Sequence, residues 1–596
     1  MDVLSDSFSV LVNHWQLISG TLLILVLGQI LVWSLLKASF DERLTRGEYY
    51  SLSLAGWMLP ISLAAGIWLL FGRVQMSTAG APLLTILVAI VALSFLLRTR
   101  ERMLPGSKTI VFILIAIFAV SIFLRLAFVS QAVIPQYFDS AQHYLIIKNL
   151  INSAGPVTQA TTYYHMGFHL LTAFVTSSLR TETINTILIL GQVILVTIPL
   201  SVFFLIKHET QSSAAGVFAI LLATVGWYMP AYAVNWGKYP ALTSLPLMTF
   251  VLSLAYLSVR YGNILSTGKY RTLNALLVFA ILLSGLTHSR SLIILAIIAL
   301  AWVTAAWWQN LPRVWHPFGF FAVLLGIIWL SVLTHTENIF GPLFDPYWNQ
   351  GWFVTSIVLF LSLFALWAYP KLTFAVLLVI LLLLGSLFMP ITVPGYGNLT
   401  LLDRPFVEML LYLPLALLGG AGLAGLEQSI GRVTAGWHKA SLLPGQVIGI
   451  VLIGLVLINV LNRYTFYPSD CCTIVGRDDL VALDWVDRNL PPEARVLISS
   501  TELRVLATDS PQGLVSGDAG AWVHPLTGRA TLFLPYHSDF TQQTTLEALC
   551  QVDAEYIYVG ETGLTFNNEQ LASQPDWYKN LLSTPKVQVY QVTGCN

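Results

Sequence analysis

The stretch YYHMGFHLLTAFVTSSLR, residues 163–180, decides how the whole chain is read. It is apolar but short, opens on aromatic and histidine residues, and ends at Arg180. If it crosses a membrane, every later loop changes side. If it lies at the membrane interface, the Lys and Arg residues sort cleanly. Fifteen then fall on the cytoplasmic ends, and the outer side keeps only Arg73, Lys148, Arg180, Lys238, Arg290, Arg404 and Arg463. Cytoplasmic loops of membrane proteins carry the excess of Lys and Arg, so 163–180 is read as an interfacial helix.

Composition makes the membrane itself unavoidable. The chain has 596 residues, 56% hydrophobic and only 10% charged, with a mean hydropathy of +0.73. A soluble globular chain carries about 25% charged residues. Secreted soluble, fibrous, disordered and nucleic-acid-binding classes are excluded on this ground. A helical span needs about 20 apolar residues, and fourteen candidates run from 17–37 to 444–461. The apolar stretch 273–308 is divided at Thr287-His288-Ser289-Arg290, where polar groups interrupt it. The start MDVLSDSFSV is acidic and lacks a basic leader region, so the first span is expected to direct insertion.

The balanced total charge hides two halves built for different solvents. Residues 1–466 hold 23 Lys and Arg against 14 Asp and Glu, and residues 467–596 hold 7 against 16. All four cysteines, Cys471, Cys472, Cys550 and Cys595, lie in the second part, as in a domain of an oxidising compartment. Within it, 478–489 reads as a helix, RVLISS (495–500), EYIYVG (555–560) and VQVYQV (587–592) as strands, and 570–582 as a helix. The expected fold is a polytopic α-helical membrane protein of about 14 spans with a C-terminal extracytoplasmic α/β domain. Residues 1–108 form an N-terminal extension of three spans. Residues 109–465 form the core with an outer loop at 130–183, and 466–596 form the outer domain. The N-terminus and that domain lie outside a plasma (inner) membrane.

Ionisable residues on the outer face need a reason beyond topology. Tyr137-Phe138-Asp139-Ser140-Ala141-Gln142-His143-Tyr144 holds the only carboxylate between 130 and 181. Asp139 and His143 share a helical face. Asp139 suits a general base, and equally a helix N-cap. His165 and His169 repeat the same spacing, and with Asp139 and His143 they could hold a divalent metal. Ordinary interfacial belt residues fit them as well. Lys238, Arg290 beside His288, and Arg404 are separated outer cations. Together they suit a lipid-borne phosphate; singly, each fits a snorkelling side chain.

The order of these pieces resembles the GT-C superfamily of membrane glycosyltransferases, of the protein O-mannosyltransferase and aminoarabinose transferase type. An Arg-bearing span (Arg125) leads to an outer loop with Asp139 and Tyr144, then to YYHMGFHLL (163–171), AYAVNWGKYPAL (231–242) and LLDRPFVEMLLYLPLALLGGAGLAGL (401–426). The likeness spans about residues 109–596. It departs at Ser140, where the family has a second acid, at Lys238, where its second loop offers an Asp, and at His165-Met166, in place of Lys-Pro. The resemblance implies sugar transfer at the outer face, from a polyprenyl-phosphate donor to an acceptor hydroxyl, with inversion. Asp139 would be the base. Arg290, His288, Arg404, Lys238 and Arg125 would hold the donor phosphate. His143, Tyr144, Tyr164, His165 and His169 would line the acceptor side. Membrane lipid and the lipid-linked sugar are the implied partners, nucleic acid is not, and a divalent metal and the acceptor's identity stay open. Two other classes fit the composition: a transporter or flippase, and a membrane scaffold whose outer domain binds a partner.

Overall fold

A computed structural model describes residues 2–40, 43–72, 80–98, 106–152, 165–393, 397–434, 443–501 and 514–595. The chain is a polytopic helical membrane protein. Among the described residues, eleven helices are long and apolar enough to cross a bilayer, from Trp15–Phe40 to Arg404–Arg432. Three more of the expected spans appear as 17-residue apolar helices, Trp352–Ala368, Pro370–Ser386 and Val447–Arg463. One hydrophobic core runs from Val10 to Phe466. The first three spans share that core: Gly47 lies against Ile110 and Phe203, and Gly56 against the Phe250 ring.

The decisive stretch folds as the helix Gly167–Leu179. Its first residue meets Thr287, at the end of one span, and Leu179 meets Gly20, near the start of another. Between these points, Phe174 packs edge-on against Trp68, and Thr85 donates to Ser178 Oγ at 3.0 Å. Consecutive spans run in opposite directions, so all four neighbours lie at one end of the bundle. Thirteen residues rise only about 20 Å, less than the ~30 Å hydrocarbon thickness. The helix therefore caps the bundle end and does not traverse it.

The C-terminal part sits on the same end. It is a five-stranded sheet in the order 530–535, 495–500, 556–559, 588–592, 578–583. The first three strands are parallel and the last two pairings antiparallel. The helix Arg477–Asn489 and the strands at 495–500, 556–559 and 588–592 match the sequence reading. The expected helix at 570–582 is corrected. Asn567 caps a short helix, Asn568–Ala572, and Tyr578–Ser583 is an edge strand paired with Gln588–Val592. Pro575 separates the two, since proline does not continue a helix. Cys550 is bonded to Cys595 and Cys471 to Cys472. Ile134, Phe138 and Ala141 from the bundle end join the domain core around Val496 and Trp522. Tyr144 packs on Trp522, and Lys148 donates to Pro525 O at 3.1 Å.

Arg529 braces this domain. It is buried and donates to Asp487 Oδ1 (2.6 Å) and to the carbonyls of Thr527, Asp487 and Leu490 (2.5, 2.6 and 2.7 Å). Replacing it leaves those acceptors without their donor, at a cost of about 3 kcal/mol. Arg529→Ala in the full chain should therefore lower hydrogen-exchange protection of 495–500 by about two orders of magnitude.

Candidate functional site

The site is set by one tight helix start. The helix Tyr137–Asn152 begins on Tyr137, whose φ is +67°. Ser140 Oγ bonds back to Gln136 O. Asp139 is thus the third residue of the helix and not its N-cap, and its carboxylate gains from the positive helix end. Asp139 Oδ2 accepts from Lys238 Nζ at 2.5 Å. Asp139 is 13% exposed and Lys238 37%. Burial opposes the lysine charge, but Asp139, then Asp403 and Tyr137, outweigh it and raise the Lys238 pKa above its ordinary value. Lys238 follows Gly237, whose φ is +61°. A Cβ there would lie 2.6 Å from Ser140 Oγ and 3.0 Å from Gln136 O, so only glycine admits this close approach.

Behind the ion pair stand the histidines. His143 is 1% exposed and His169 fully buried. His143 Nε2 donates to Gly237 O at 3.0 Å, and His169 Nδ1 to His165 O at 2.9 Å. The facing nitrogens, His143 Nδ1 and His169 Nε2, are 3.0 Å apart. Two neutral rings carry two protons for these three contacts, so one contact lacks a proton unless the pair becomes a cation. Burial first, and then Lys238, hold the His143 pKa down to about 3. The pair therefore buttresses the 237–238 turn from within. This corrects the expectation that His143 and His169 face an acceptor.

Arg290 makes the second ion pair, Nη1 to Asp403 Oδ2 at 2.5 Å. The other oxygen, Asp403 Oδ1, caps the helix Arg404–Leu410 by accepting from Phe406 N at 3.1 Å. The Arg290 guanidinium lies 5.9 Å from the Phe406 ring centre, and His288 stacks on the same ring at 4.8 Å. His165 lies 4.3 Å from His288, ring to ring, and Ser289 N donates to its Nδ1 at 3.4 Å. Burial, then Arg290, lowers the His165 pKa to about 4. Asp403 influences Lys238, and Lys238 influences His288, so both ion pairs form one electrostatic site. Two residues after Arg290 on the same helix, Leu292 lines an apolar groove of about 450 Å3 whose walls include Met248, Ile298, Trp302 and Leu417.

The remaining expected residues scatter. Arg404 lines a separate cavity of about 290 Å3 with Asp345 and Glu408. Arg125 is buried in the bundle, donating from Nε to Gln192 Oε1 at 2.8 Å. Tyr144 serves the domain contact. Tyr164 lies outside the described residues. Asp139, His143, His165 and His169 do not make a metal centre: no group of three potential ligands is present among the described residues. Asp139 is turned to Lys238, and both His143 nitrogens are engaged. Sequence reasoning missed Asp403 as the partner of Arg290, although it adjoins Arg404. It also missed Glu408, the only carboxylate between 405 and 426, a position where an ionisable group signals function.

Residues 49–392 match the model of DUF6541, a family of unknown function, and the chain belongs to that family. The match takes in Asp139, Lys238 and Arg290 and stops short of Asp403. No curated protein matches the chain.

Two outcomes test the geometry. Gly237→Ala should destabilise the full chain by about 1–3 kcal/mol, read as a lower thermal midpoint in detergent. The depressed His143 and His165 take up protons later than they do in the unfolded chain. Their contribution to stability is complete above pH 6.5 and is lost as pH falls towards about 4. For His143 the slope approaches about 1.4 kcal/mol per pH unit, and His143→Asn should flatten the measured fall.

Proposed function

We propose that this DUF6541 protein is a membrane glycosyltransferase of the GT-C type, acting at the outer face of a plasma membrane on a polyprenyl-phosphate-linked sugar. The observation that carries the reading is the position of Arg290. It lies two residues before Leu292, which lines an apolar groove, and it pairs with Asp403, whose charge also acts on Lys238 of the Asp139–Lys238 pair. A lipid chain in the groove brings its phosphate to that guanidinium. Arg290 and Asp403 are both partly exposed, so the phosphate can take Asp403's place on the arginine. Charge-assisted bonds from Arg to phosphate oxygens are strong and directional.

In this mechanism Lys238 holds one oxygen of Asp139 and fixes the carboxylate. The other oxygen, Oδ1, takes the proton of the acceptor hydroxyl. The acceptor oxygen forms its bond to the anomeric carbon while the bond from that carbon to the phosphate oxygen breaks. The electron pair leaves with the lipid phosphate, and Arg290 stabilises the charge that grows there. Attack opposite the leaving group inverts the anomeric centre. The three 17-residue helices count as spans, giving fourteen, with the N-terminus and the C-terminal domain outside.

The test uses membranes carrying the full chain and a panel of polyprenyl-phosphate sugars, with donor consumption followed by mass spectrometry. One donor should be consumed. Asp139→Asn should slow this by about 10²–10⁴, and Arg290→Met by about 10²–10³. Full activity of Asp139→Asn sinks the base assignment, and consumption of no donor sinks the reading. Orientation has its own check. A cysteine replacing Asn338 should react with a membrane-impermeant maleimide in whole cells, and one replacing Asn263 should not. The reverse pattern would place the site on the other side.

A further inference from the structure

Two adjoining cavities lie between the bundle end and the linker to the outer domain. Their volumes are about 400 and 290 Å3, and they share Tyr228, Tyr232 and Gln350, so they read as one cleft. The transfer chemistry above uses neither. The cleft has an aromatic wall. Tyr228 and Tyr232 are 4.6 Å apart, ring to ring, and Tyr464 meets Tyr228 edge-on at 6.2 Å. Hydrogen-bonding groups of both kinds also line it: Gln350, Asn459 and Arg463 in the larger part, and Arg404, Asp345 and Glu408 in the smaller, where Gln350 Nε2 donates to Asp345 Oδ2 at 3.2 Å.

Glu408 is the independent sign that something binds here. It is 3% exposed, and its Oε2 makes no hydrogen bond among the described residues. A buried polar oxygen without a partner is costly, and native structures rarely keep one without a use. Glu408 is among the residues that line the smaller cavity.

The lining selects a ligand class. Asp345 and Glu408 stand beside Arg404 and Arg463, so the cleft does not offer a polyanion cations alone. Among the described residues no strand edge lines the cleft, so an extended peptide has no ladder to join there. Aromatic faces next to amide, guanidinium and carboxylate groups suit a molecule with apolar ring faces and a rim of hydroxyls. We propose that the cleft binds a neutral sugar chain, with Tyr228 and Tyr232 against its ring faces and Glu408 accepting from a hydroxyl at the inner end. Its role as the acceptor of the transfer rests on the function proposed above; the binding itself does not. Arg404 ties the cleft to the reaction site, since its charge reaches Tyr137, two residues from Asp139.

The test applies the fluorescently labelled full chain, in detergent, to an array of defined neutral oligosaccharides and to an array of Ser- and Thr-containing peptides. At least one glycan class should be retained. Tyr232→Ala and the isosteric Glu408→Gln should each weaken it tenfold or more, while Arg488→Ala, on the exposed face of the outer domain, binds as the unsubstituted chain does. Thermal midpoints check that the variants are folded, and Gln350→Ala replaces Tyr232→Ala if that variant is not. Retention of no glycan, retention of peptides alone, or binding indifferent to these substitutions overturns the proposal. Glycan binding without donor consumption sinks the transferase reading alone. Donor consumption without glycan binding sinks the cleft assignment alone.

Discussion

The ion pair between Asp139 and Lys238 joins segments 99 residues apart and holds the bundle end in one arrangement. In a chain with so few charges, each one placed away from bulk water needs an answer. Asp139 and Lys238 answer each other at 2.5 Å, which fixes the Tyr137–Asn152 helix against the 237–238 turn. The backbone then permits the rest. Gly237 can approach Ser140 because it has no side chain, and its carbonyl receives the His143 ring. Without that approach, neither the carboxylate nor the histidine buttress keeps its place.

Asp403 shows how a second pair can be firm and exchangeable at once. One oxygen holds a helix start, and the other holds Arg290. The guanidinium can therefore change partners without unwinding the helix. The outer domain adds constraint from above. Its core takes in Ile134, Phe138 and Ala141, which lie on either side of the helix start that carries Asp139. Domain and site are thus parts of one packed unit.

Much of this was legible in the sequence, and the reasons differ by scale. Spans are visible because hydrocarbon demands a long run of apolar residues whatever the partner. The placement of 163–180 followed from charge bias across many loops, and the contacts of Gly167–Leu179 with Thr287 and Gly20 agree with it. The strands RVLISS and EYIYVG carry their own alternation and β-branching. Pairings were not legible. That Lys238 meets Asp139, or Arg290 meets Asp403, depends on how helices are ordered around the bundle, which no local pattern encodes. The expected helix at 570–582 failed for a related reason. Its composition allowed a helix, but Pro575 and pairing with Gln588–Val592 decided for a strand. His143 and His169 were expected to line the acceptor side, and only packing shows them enclosed.

The spacing of the partners along the chain also sets a timetable. A ribosome adding about 5–20 residues per second makes Asp139 first and supplies Lys238 roughly 5–20 s later. Arg290 then waits a further 113 residues for Asp403, roughly 6–23 s at the same pace. Ile134 and Phe138 stay uncovered longest, because the residues that enclose them lie between 474 and 589. A chain cut short after its last span would insert with its ion pairs made and an apolar patch left bare at the bundle end. Such a patch is the kind of surface by which quality-control proteases distinguish an unfinished membrane protein from a finished one.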